Sequence, residues 1–251
     1  MTRRLLVTAL SALSLSGVAS SAQAPRAGQP AGGAAAGSTI TGMVRFEGAA
    51  PKPRPLRMEA DPLCVPIGKG AIFETLLVGA GGGIQNVFVY VKDGLGDRKF
   101  ATPTRPVTID QMGCRYHPHV FGIQVGQPLS IQNSDPVLHN VNTSAKANKG
   151  FNLIQPKGVP PGTRMFDKPE VMVAIRCDVH PWMGSWVGVV NHPFHAVTGA
   201  DGSFTLKGLP AGTYTVEAWH EELGTQTQKV VVDAKKGASA AFVFKAGAKP
   251  K

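Results

Sequence analysis

The sequence predicts an all-β protein. Short segments alternate apolar and polar residues, which is the period of a strand with one buried face. Pairs such as Asp201-Gly202 and Ala211-Gly212 separate several of these segments and are typical of tight turns between strands. No long segment shows the hydrophobic period of a helix, and the 251 residues are enough for about two small domains.

The start of the chain is predicted to precede the folded part. Arg3, Arg4, an apolar stretch over residues 5–18 and small residues up to Ala24 form the pattern of a cleavable export signal, assigned to residues 1–24. Residues 25–38 are mostly Ala, Gly, Pro and Gln and predict a flexible linker. No later stretch is long and apolar enough for a transmembrane segment, so we expect a periplasmic or secreted protein.

The chain is basic. Its formal net charge is +10, and removal of the signal, which holds two arginines and no acidic residue, lowers that charge by two. A basic exported protein is expected to meet acidic protein partners or a negatively charged envelope surface. There is no basic stripe interleaved with aromatic residues, which argues against nucleic acid as a partner.

The first half of the folded part reads as strands joined by surface segments. Alternation predicts strands over residues 40–46, 73–78 and 84–91, with a turn at the three glycines 81–83. The Pro-rich residues 50–62 are expected to be a surface connection.

A Cys-x-x-His-x-x-Met run at Cys177, His180 and Met183 is the most informative motif, and His139 lies upstream of it. One thiolate, two imidazoles and one thioether are the donors of a blue-copper electron-transfer site. Alternating residues put Cys177 on the apolar face of the strand that precedes it, while Arg176 points outward. Because the loop is short, His139 must come from a neighbouring strand.

Around these residues the chain resembles the cupredoxins, the family of plastocyanin and amicyanin. The resemblance covers about residues 107–190 and includes a strand–glycine–strand pattern at residues 120–129 and the segment that leads to His139. It implies a Greek-key β-sandwich over residues 100–193 that holds one mononuclear copper ion. The copper ligands it implies are His139, Cys177, His180 and Met183.

The same resemblance implies roles for residues beside the ligands. Asn140 would hold the ligand loop through a hydrogen bond. The electron port would be an exposed edge of His180 within an apolar patch, together with Pro181 and Trp182. Two other interpretations stay open: Cys177 and Met183 are ordinary core residues, or the motif binds zinc, although methionine is a poor zinc ligand and no second cysteine pair is present.

Three cysteines in an oxidising compartment leave one unpaired. If Cys177 binds metal, Cys64 and Cys114 are left as the disulfide pair. This pairing is reached by elimination, and three connectivities remain formally open.

The last fifty residues carry a second signature. An Asp-Gly-x-Phe element at residues 201–204 and a Leu-Pro-x-Gly-x-Tyr element at residues 209–214 resemble the carboxypeptidase regulatory-like domain over about residues 196–244. The resemblance implies a prealbumin-like β-sandwich with no catalytic set. Its opening strands are missing locally, so we expect a discontinuous sandwich of residues 39–94 and 194–246 with the cupredoxin-like unit inserted, and tandem domains are the competing layout.

The other histidines have weaker signals. His117 and His119 would share one face of a strand and could chelate a second metal ion, but Pro118 between them disrupts regular pairing, and the pattern favours His119 as a packed or near-copper histidine. His192 and His195 at the predicted domain junction are expected to be structural. His220 is expected to be a hydrogen-bonded residue of the fold.

The sequence thus predicts an exported mononuclear blue-copper electron-transfer protein, whose partners would be redox proteins such as a c-type cytochrome or a redox enzyme. No nucleophile, acid–base pair or cofactor motif argues for an enzyme. A copper-trafficking protein and a structural β-sandwich of the cell surface are the alternatives.

Overall fold

The computed structural model describes residues 37–246. The predicted export signal and almost all of the predicted linker lie outside the described residues. Within them, Ser38 already pairs with Leu209 as the first residue of a strand, so the linker was predicted one residue too long. No helix of the described residues is long and apolar enough to cross a membrane.

The regular secondary structure of the described chain is nearly all β-strand, which confirms the predicted all-β class. A four-residue helix, α1 (Cys64–Ile67), and a short 3₁₀ turn (Ala80–Gly82) are its helical parts. The strands are β1 (Ser38–Glu47), β2 (Phe88–Asp93), β3 (Val107–Gln111), β4 (Tyr116–His117), β5 (Val120–Gln124), β6 (Leu129–Asn133), β7 (His139–Ser144), β8 (Asn152–Gln155), β9 (Gly162–Arg164), β10 (Glu170–Arg176), β11 (Gly184–Val190), β12 (His195–Val197), β13 (Ser203–Leu209), β14 (Gly212–His220), β15 (Gly224–Val232) and β16 (Ala238–Lys245).

Strands from both ends of the described chain share one core. β1 lies between β13 and β16, and β2 lies between β12 and β14 in a sheet that continues to β15. The inward residues of these strands, among them Val44, Val89, Leu206, Tyr214 and Phe242, form one buried apolar cluster. Burial of this shared face holds the early and late segments together.

The middle of the chain forms two further sheets with a core of their own. One sheet has the order β5-β11-β10-β7-β8 and the other the order β4-β3-β6-β9. Their buried residues, which include Ile109, Ile131, Val141 and Val187, also include Cys177 and Met183. Because β7 and β10 are neighbours, the start of β7 and the end of β10 lie side by side.

Two of the predicted strands differ in the structure. Residues 73–78 form no strand: every one of them is partly exposed, and Val78 makes only an isolated bridge to Ile84. The strand predicted over residues 84–91 begins at Phe88. The cause is local backbone geometry, since Gly81, Gly82 and Asn86 adopt positive φ angles that interrupt an extended chain.

The Phe88 ring packs between the two cores. A Cβ atom on Gly188 would lie 2.4 Å from this ring, and one on Gly122 would lie 2.2 Å from the His195 ring. Both positions therefore require glycine, because an aromatic ring lies too close to the backbone for any larger side chain. Trp186 and Trp219 add a contact between ring centroids 5.1 Å apart.

Candidate metal centre

Three of the four predicted ligand residues bring their donor atoms together. The Nδ1 atoms of His139 and His180 are 2.9 Å apart, and His180 Nδ1 lies 3.8 Å from Cys177 Sγ. His139 is the first residue of β7, and Cys177 directly follows β10, as the strand pattern predicts. Donor atoms of His139, Cys177 and His180 all lie within 4.8 Å of one another.

The loop after Cys177 is closed by its own backbone. The Met183 N–H donates to the His180 carbonyl at 2.9 Å, and the Cys177 N–H donates to the Met183 carbonyl at 3.3 Å. Met183 is 2% exposed and belongs to the same apolar cluster as Cys177. The turn thus returns Met183 to the core in which Cys177 lies.

Cys177 is the free cysteine of the described residues and is buried. Burial on its own would raise the pKa of its thiol, but hydrogen bonds from His139 and from backbone N–H groups of the ligand segments lower that pKa from 9.0 to about 6. The thiolate, which is the form that binds a metal ion, is therefore favoured at neutral pH.

Each imidazole has a carboxylate on its outer nitrogen. His139 Nε2 lies 2.9 Å from Asp135 Oδ2, and His180 Nε2 lies 2.9 Å from Asp61 Oδ2. Burial opposes a charge on His139 and on Asp135, yet their mutual hydrogen bond raises the pKa of His139 and lowers that of Asp135. The hydrogen bond to His180 likewise lowers the pKa of Asp61.

A disulfide joins Cys64 to Cys114, with the Cα atoms 5.7 Å apart. It lies at the metal centre: Cys64 Sγ is 3.6 Å from His180 Nε2. Both cysteines are fully buried, in a small apolar cluster with Met58 and Val137.

A network of amides ties the ligand loop to β7 and β8. Asn140 Oδ1 accepts the Asp178 N–H at 2.8 Å and lies 3.3 Å from Cys177 Sγ. The Asp178 carboxylate accepts hydrogen bonds from Asn140, Asn142 and Asn152. Bonds from Asn142 above all, and from Arg176, lower the pKa of Asp178.

The exposed edge of His180 expected at the electron port is absent from the structure, so that prediction was wrong. His180 is 1% exposed. The reason is that residues 54–73, here named the cap segment, lie over it, with Asp61 and Cys64 against its outer nitrogen. Pro181 is exposed, and Trp182 is half-buried with its ring centroid 5.0 Å from that of His180.

The remaining histidines bind protein groups. His117 Nε2 lies 3.1 Å from the Met112 carbonyl, whereas His119 contacts Glu221 and the Gly184 carbonyl, so the two rings do not converge. His192 bonds the Val91 carbonyl, and His195 packs against Phe88. His220 Nδ1 accepts the N–H groups of residues 222 and 223. None of these five belongs to a metal-binding group among the described residues.

Three functional candidates escaped the sequence reasoning: Asp61, Asp135 and Asp178. Asp135 lies four residues before His139 and Asp178 directly follows Cys177, so their positions next to ligands were a usable signal. Asp61 had none, since 119 residues separate it from His180.

The donor set can hold a transition-metal ion. A thiolate and two imidazoles in a buried site suit copper or zinc, and the thioether of Met183 in the same core favours copper. The lone free cysteine fits a single ion and does not fit a binuclear centre, which needs two thiolates.

Solved structures that resemble the chain are cupredoxins and a related reductase. A copper-containing nitrite reductase from Thermus scotoductus SA-01 is 21% identical with a TM-score of 0.32, over 39% of this chain and 25% of the reductase, so the chain spans a quarter of that enzyme's length. A purple cupredoxin from Nitrosopumilus maritimus is 24% identical with a TM-score of 0.28, over 33% of this chain and 97% of the cupredoxin. A reduced Cu(I) form of amicyanin is 18% identical with a TM-score of 0.31, over 39% of this chain and 96% of amicyanin.

TM-scores this low do not by themselves establish a shared fold. No curated protein matches the chain. The match to a family model covers residues 184–245, which includes the region of the Asp-Gly-x-Phe and Leu-Pro-x-Gly-x-Tyr elements and begins twelve residues before the resemblance read from the sequence. Over residues 184–245 the chain is thus similar to the carboxypeptidase regulatory-like domain.

Proposed function

We propose that this protein is an exported electron-transfer protein that holds one mononuclear copper ion. His139, Cys177 and His180 would hold the ion in a plane, and Met183 would be the weak axial ligand. Copper would supply a one-electron redox couple, and the chain's own residues bind it, orient its ligands and exclude water. We propose no enzymatic step.

The observation that carries this proposal is the convergence of two Nδ1 atoms on one buried thiol. The donor atoms of His139, Cys177 and His180 lie within 4.8 Å of one another, and each of these residues is at most 3% exposed. A buried site with donors already assembled has little to rearrange when the ion changes charge. This rigidity favours electron transfer over copper trafficking, because exchange of the ion between proteins needs accessible donors.

Electrons would leave near Trp182. Its ring is half-exposed, contacts the His180 ring and donates a hydrogen bond from Nε1 to the Cys114 carbonyl at 3.1 Å. Trp182 and Pro181 therefore form the exposed part of the port, while His180 forms its buried part. A redox protein, for example a c-type cytochrome or a redox enzyme of the periplasm, would dock there.

We further propose the domain division read from the sequence, with residues 39–94 and 194–246 as one sandwich and residues 100–193 as the inserted one. Strand pairing of β1 with β13 and β16 supports it. Cleavage of the chain next to His195 should then destabilise both parts, as hydrogen exchange would measure. Tandem domains would instead leave residues 196–246 folded on their own.

The copper proposal is tested by titrating the metal-free protein with copper. One equivalent should bind and give an intense thiolate-to-copper band in the visible spectrum. Cys177→Ser should abolish the band. The Cys64–Cys114 disulfide should remain intact in this variant, which shows that the loss of the band is due to the missing thiolate and not to misfolding. A wild-type protein that stays colourless with Cu(II), or that binds only zinc, would overturn the proposal.

A further inference from the structure

We propose that Asp61 and Asp135 are positioning residues that hold the two imidazoles of the metal centre, and that the Cys64–Cys114 disulfide holds both carboxylates in place. The inference rests on the proposed copper site. It assigns a task to the cap segment, which lies outside the sandwich that contains the ligands.

The two imidazoles are held in the same way. An imidazole that donates its Nε2–H to a carboxylate keeps its lone pair on Nδ1. Asp135 accepts from His139 and Asp61 accepts from His180, each at 2.9 Å. Each ring is thereby turned with Nδ1 toward the buried Cys177, so Nδ1 is the nitrogen left to bind a metal ion once the proton that His139 shares with the Cys177 thiolate is released.

Burial makes these bonds necessary. His139 is 0% exposed and His180 is 1% exposed, so water cannot replace a missing acceptor at either Nε2–H. A buried N–H without a partner is unfavourable, and the ring would turn or change tautomer to relieve it.

Each aspartate is bonded to one half of the disulfide, Asp135 through its carboxylate and Asp61 through its backbone carbonyl. Asp135 accepts the N–H groups of Gly113 and Cys114, each at 2.7 Å, and both residues adopt positive φ angles that turn these groups toward it. Asp61 lies at the start of the turn into α1, where its carbonyl accepts the Cys64 N–H at 3.0 Å. The disulfide thereby fixes the separation between the two Asp–His pairs.

The anionic partners also affect the ion. A carboxylate hydrogen-bonded to a ligating histidine makes the imidazole a stronger donor, which stabilises the more highly charged, oxidised state. Two such partners are therefore expected to lower the reduction potential of the site.

The molecule contains a matched control. His119 and Glu221 form another buried imidazole–carboxylate pair, and Glu221 also accepts a bond from Trp186 Nε1 at 2.9 Å. This pair belongs to no metal-binding group of the described residues. Glu221→Gln should therefore leave the metal centre unchanged.

The experiment compares Asp61→Asn, Asp135→Asn and Glu221→Gln in the full chain. Each Asp→Asn variant should weaken Cu(II) binding on the order of 10–100-fold in a chelator competition and raise the reduction potential. In the metal-free protein, ¹⁵N NMR should show that the affected ring no longer keeps its proton on Nε2. Asp61 is partly exposed, so Asp61→Asn is expected to fold. This variant alone can therefore decide the test if the buried Asp135→Asn variant does not fold.

The inference would be overturned if the Asp61→Asn and Asp135→Asn variants kept the copper affinity, the reduction potential and the ring tautomers of the wild type. A double Cys64→Ser, Cys114→Ser variant with an unchanged potential would overturn the part assigned to the disulfide. If the wild type binds no copper, the proposed function fails, while the ¹⁵N tautomer comparison with Glu221→Gln still decides whether the two aspartates position the rings.

Discussion

His180 Nε2 and Asp61 Oδ2 lie 2.9 Å apart although 119 residues separate them in the sequence. The pair closes the outer side of the metal centre with a segment that precedes β2. A site whose proposed ligands all come from residues 139–183 is thus completed by a residue from the first quarter of the described chain. Several measurable consequences follow from this and from neighbouring contacts.

Replacement of the proposed axial ligand, Met183→Leu, should keep the visible band and raise the reduction potential. The thiolate gives the band its intensity, whereas the thioether is a weak donor that stabilises the oxidised ion. Redox titration followed at the visible band measures both effects. Loss of the band in this variant, with the fold intact, would show that Met183 has a larger role than an axial ligand.

Removal of the loop carboxylate, Asp178→Ala, should speed copper loss to a chelator without abolishing the visible band. The variant removes the acceptor that ties Asn140, Asn142 and Asn152 to the ligand loop. Stopped-flow transfer of copper to the chelator measures the rate. Asp201→Ala is the matched control, because Asp201 is an exposed loop aspartate whose carboxylate, within residues 37–246, accepts hydrogen bonds only from Ser203.

Loss of the disulfide in the double Cys64→Ser, Cys114→Ser variant should lower the free energy of unfolding by about 4 kcal/mol in the chain-entropy model. The cross-link closes a loop with a sequence separation of 50. Urea unfolding of the metal-free protein measures the change. Peptide mapping under non-reducing conditions should find the Cys64–Cys114 link, and detection of Cys177 in a native disulfide would contradict both the pairing and the metal assignment.

Stability should fall as the pH drops from about 6.5 to about 4, in part because of His220. Burial lowers the pKa of His220 from 6.5 to about 4, and His195 is affected in the same way. In this window the unfolded chain binds protons that the folded chain excludes, so the full stabilisation is present above pH 6.5 and is lost as the pH approaches 4.

The variant that isolates this effect is His220→Asn, whose amide oxygen can still accept the N–H groups of residues 222 and 223. It should remove roughly 3 kcal/mol of the pH dependence. Thermal unfolding of the metal-free protein at several pH values measures this. An unchanged slope between pH 4 and 6.5 would mean that His220 does not stay neutral in the fold.

Addition of one methyl group at the junction of the two cores, Gly188→Ala, should destabilise the protein by about 1–3 kcal/mol through overpacking. The added Cβ would lie 2.4 Å from the Phe88 ring. Gly184→Ala on the same strand is the control, since nothing lies within 4 Å of its Cβ position. Denaturant unfolding of both variants measures the difference, and equal stabilities would show that the Phe88 ring yields at little cost.

Local patterns in the sequence predicted most of the candidate metal centre. The alternation of β10 places Cys177 on its buried face, and the short spacing to His180 and Met183 keeps all three residues in one loop. His139 was expected from a neighbouring strand and lies at the start of β7. The outer surface of the site was not predictable in this way. Asp61 comes from a Pro-rich segment with no periodic signal, and its position depends on the disulfide and the packing of Met58, which are long-range effects.

The error in the predicted strand over residues 73–78 has a local origin. These residues have the composition of a strand, but the positive φ angles of Gly81, Gly82 and Asn86 interrupt the extended chain that follows them, and Val78 makes only an isolated bridge to Ile84 among the described residues. The expected exposed edge of His180 was wrong because the resemblance to cupredoxins covers about residues 107–190, whereas the cap segment that buries His180 lies outside this range.

The pairing of β1 also determines the order in which the chain can fold during synthesis. Strands β3 to β11, which carry the proposed ligands, have all left the ribosome soon after residue 190 has been added. β1 must wait for β13 on one side and for β16 (Ala238–Lys245) on the other. The earliest strand of the described chain is thus the last to acquire both neighbours. Until then its two unpaired edges are the part of the nascent protein most in need of protection from aggregation.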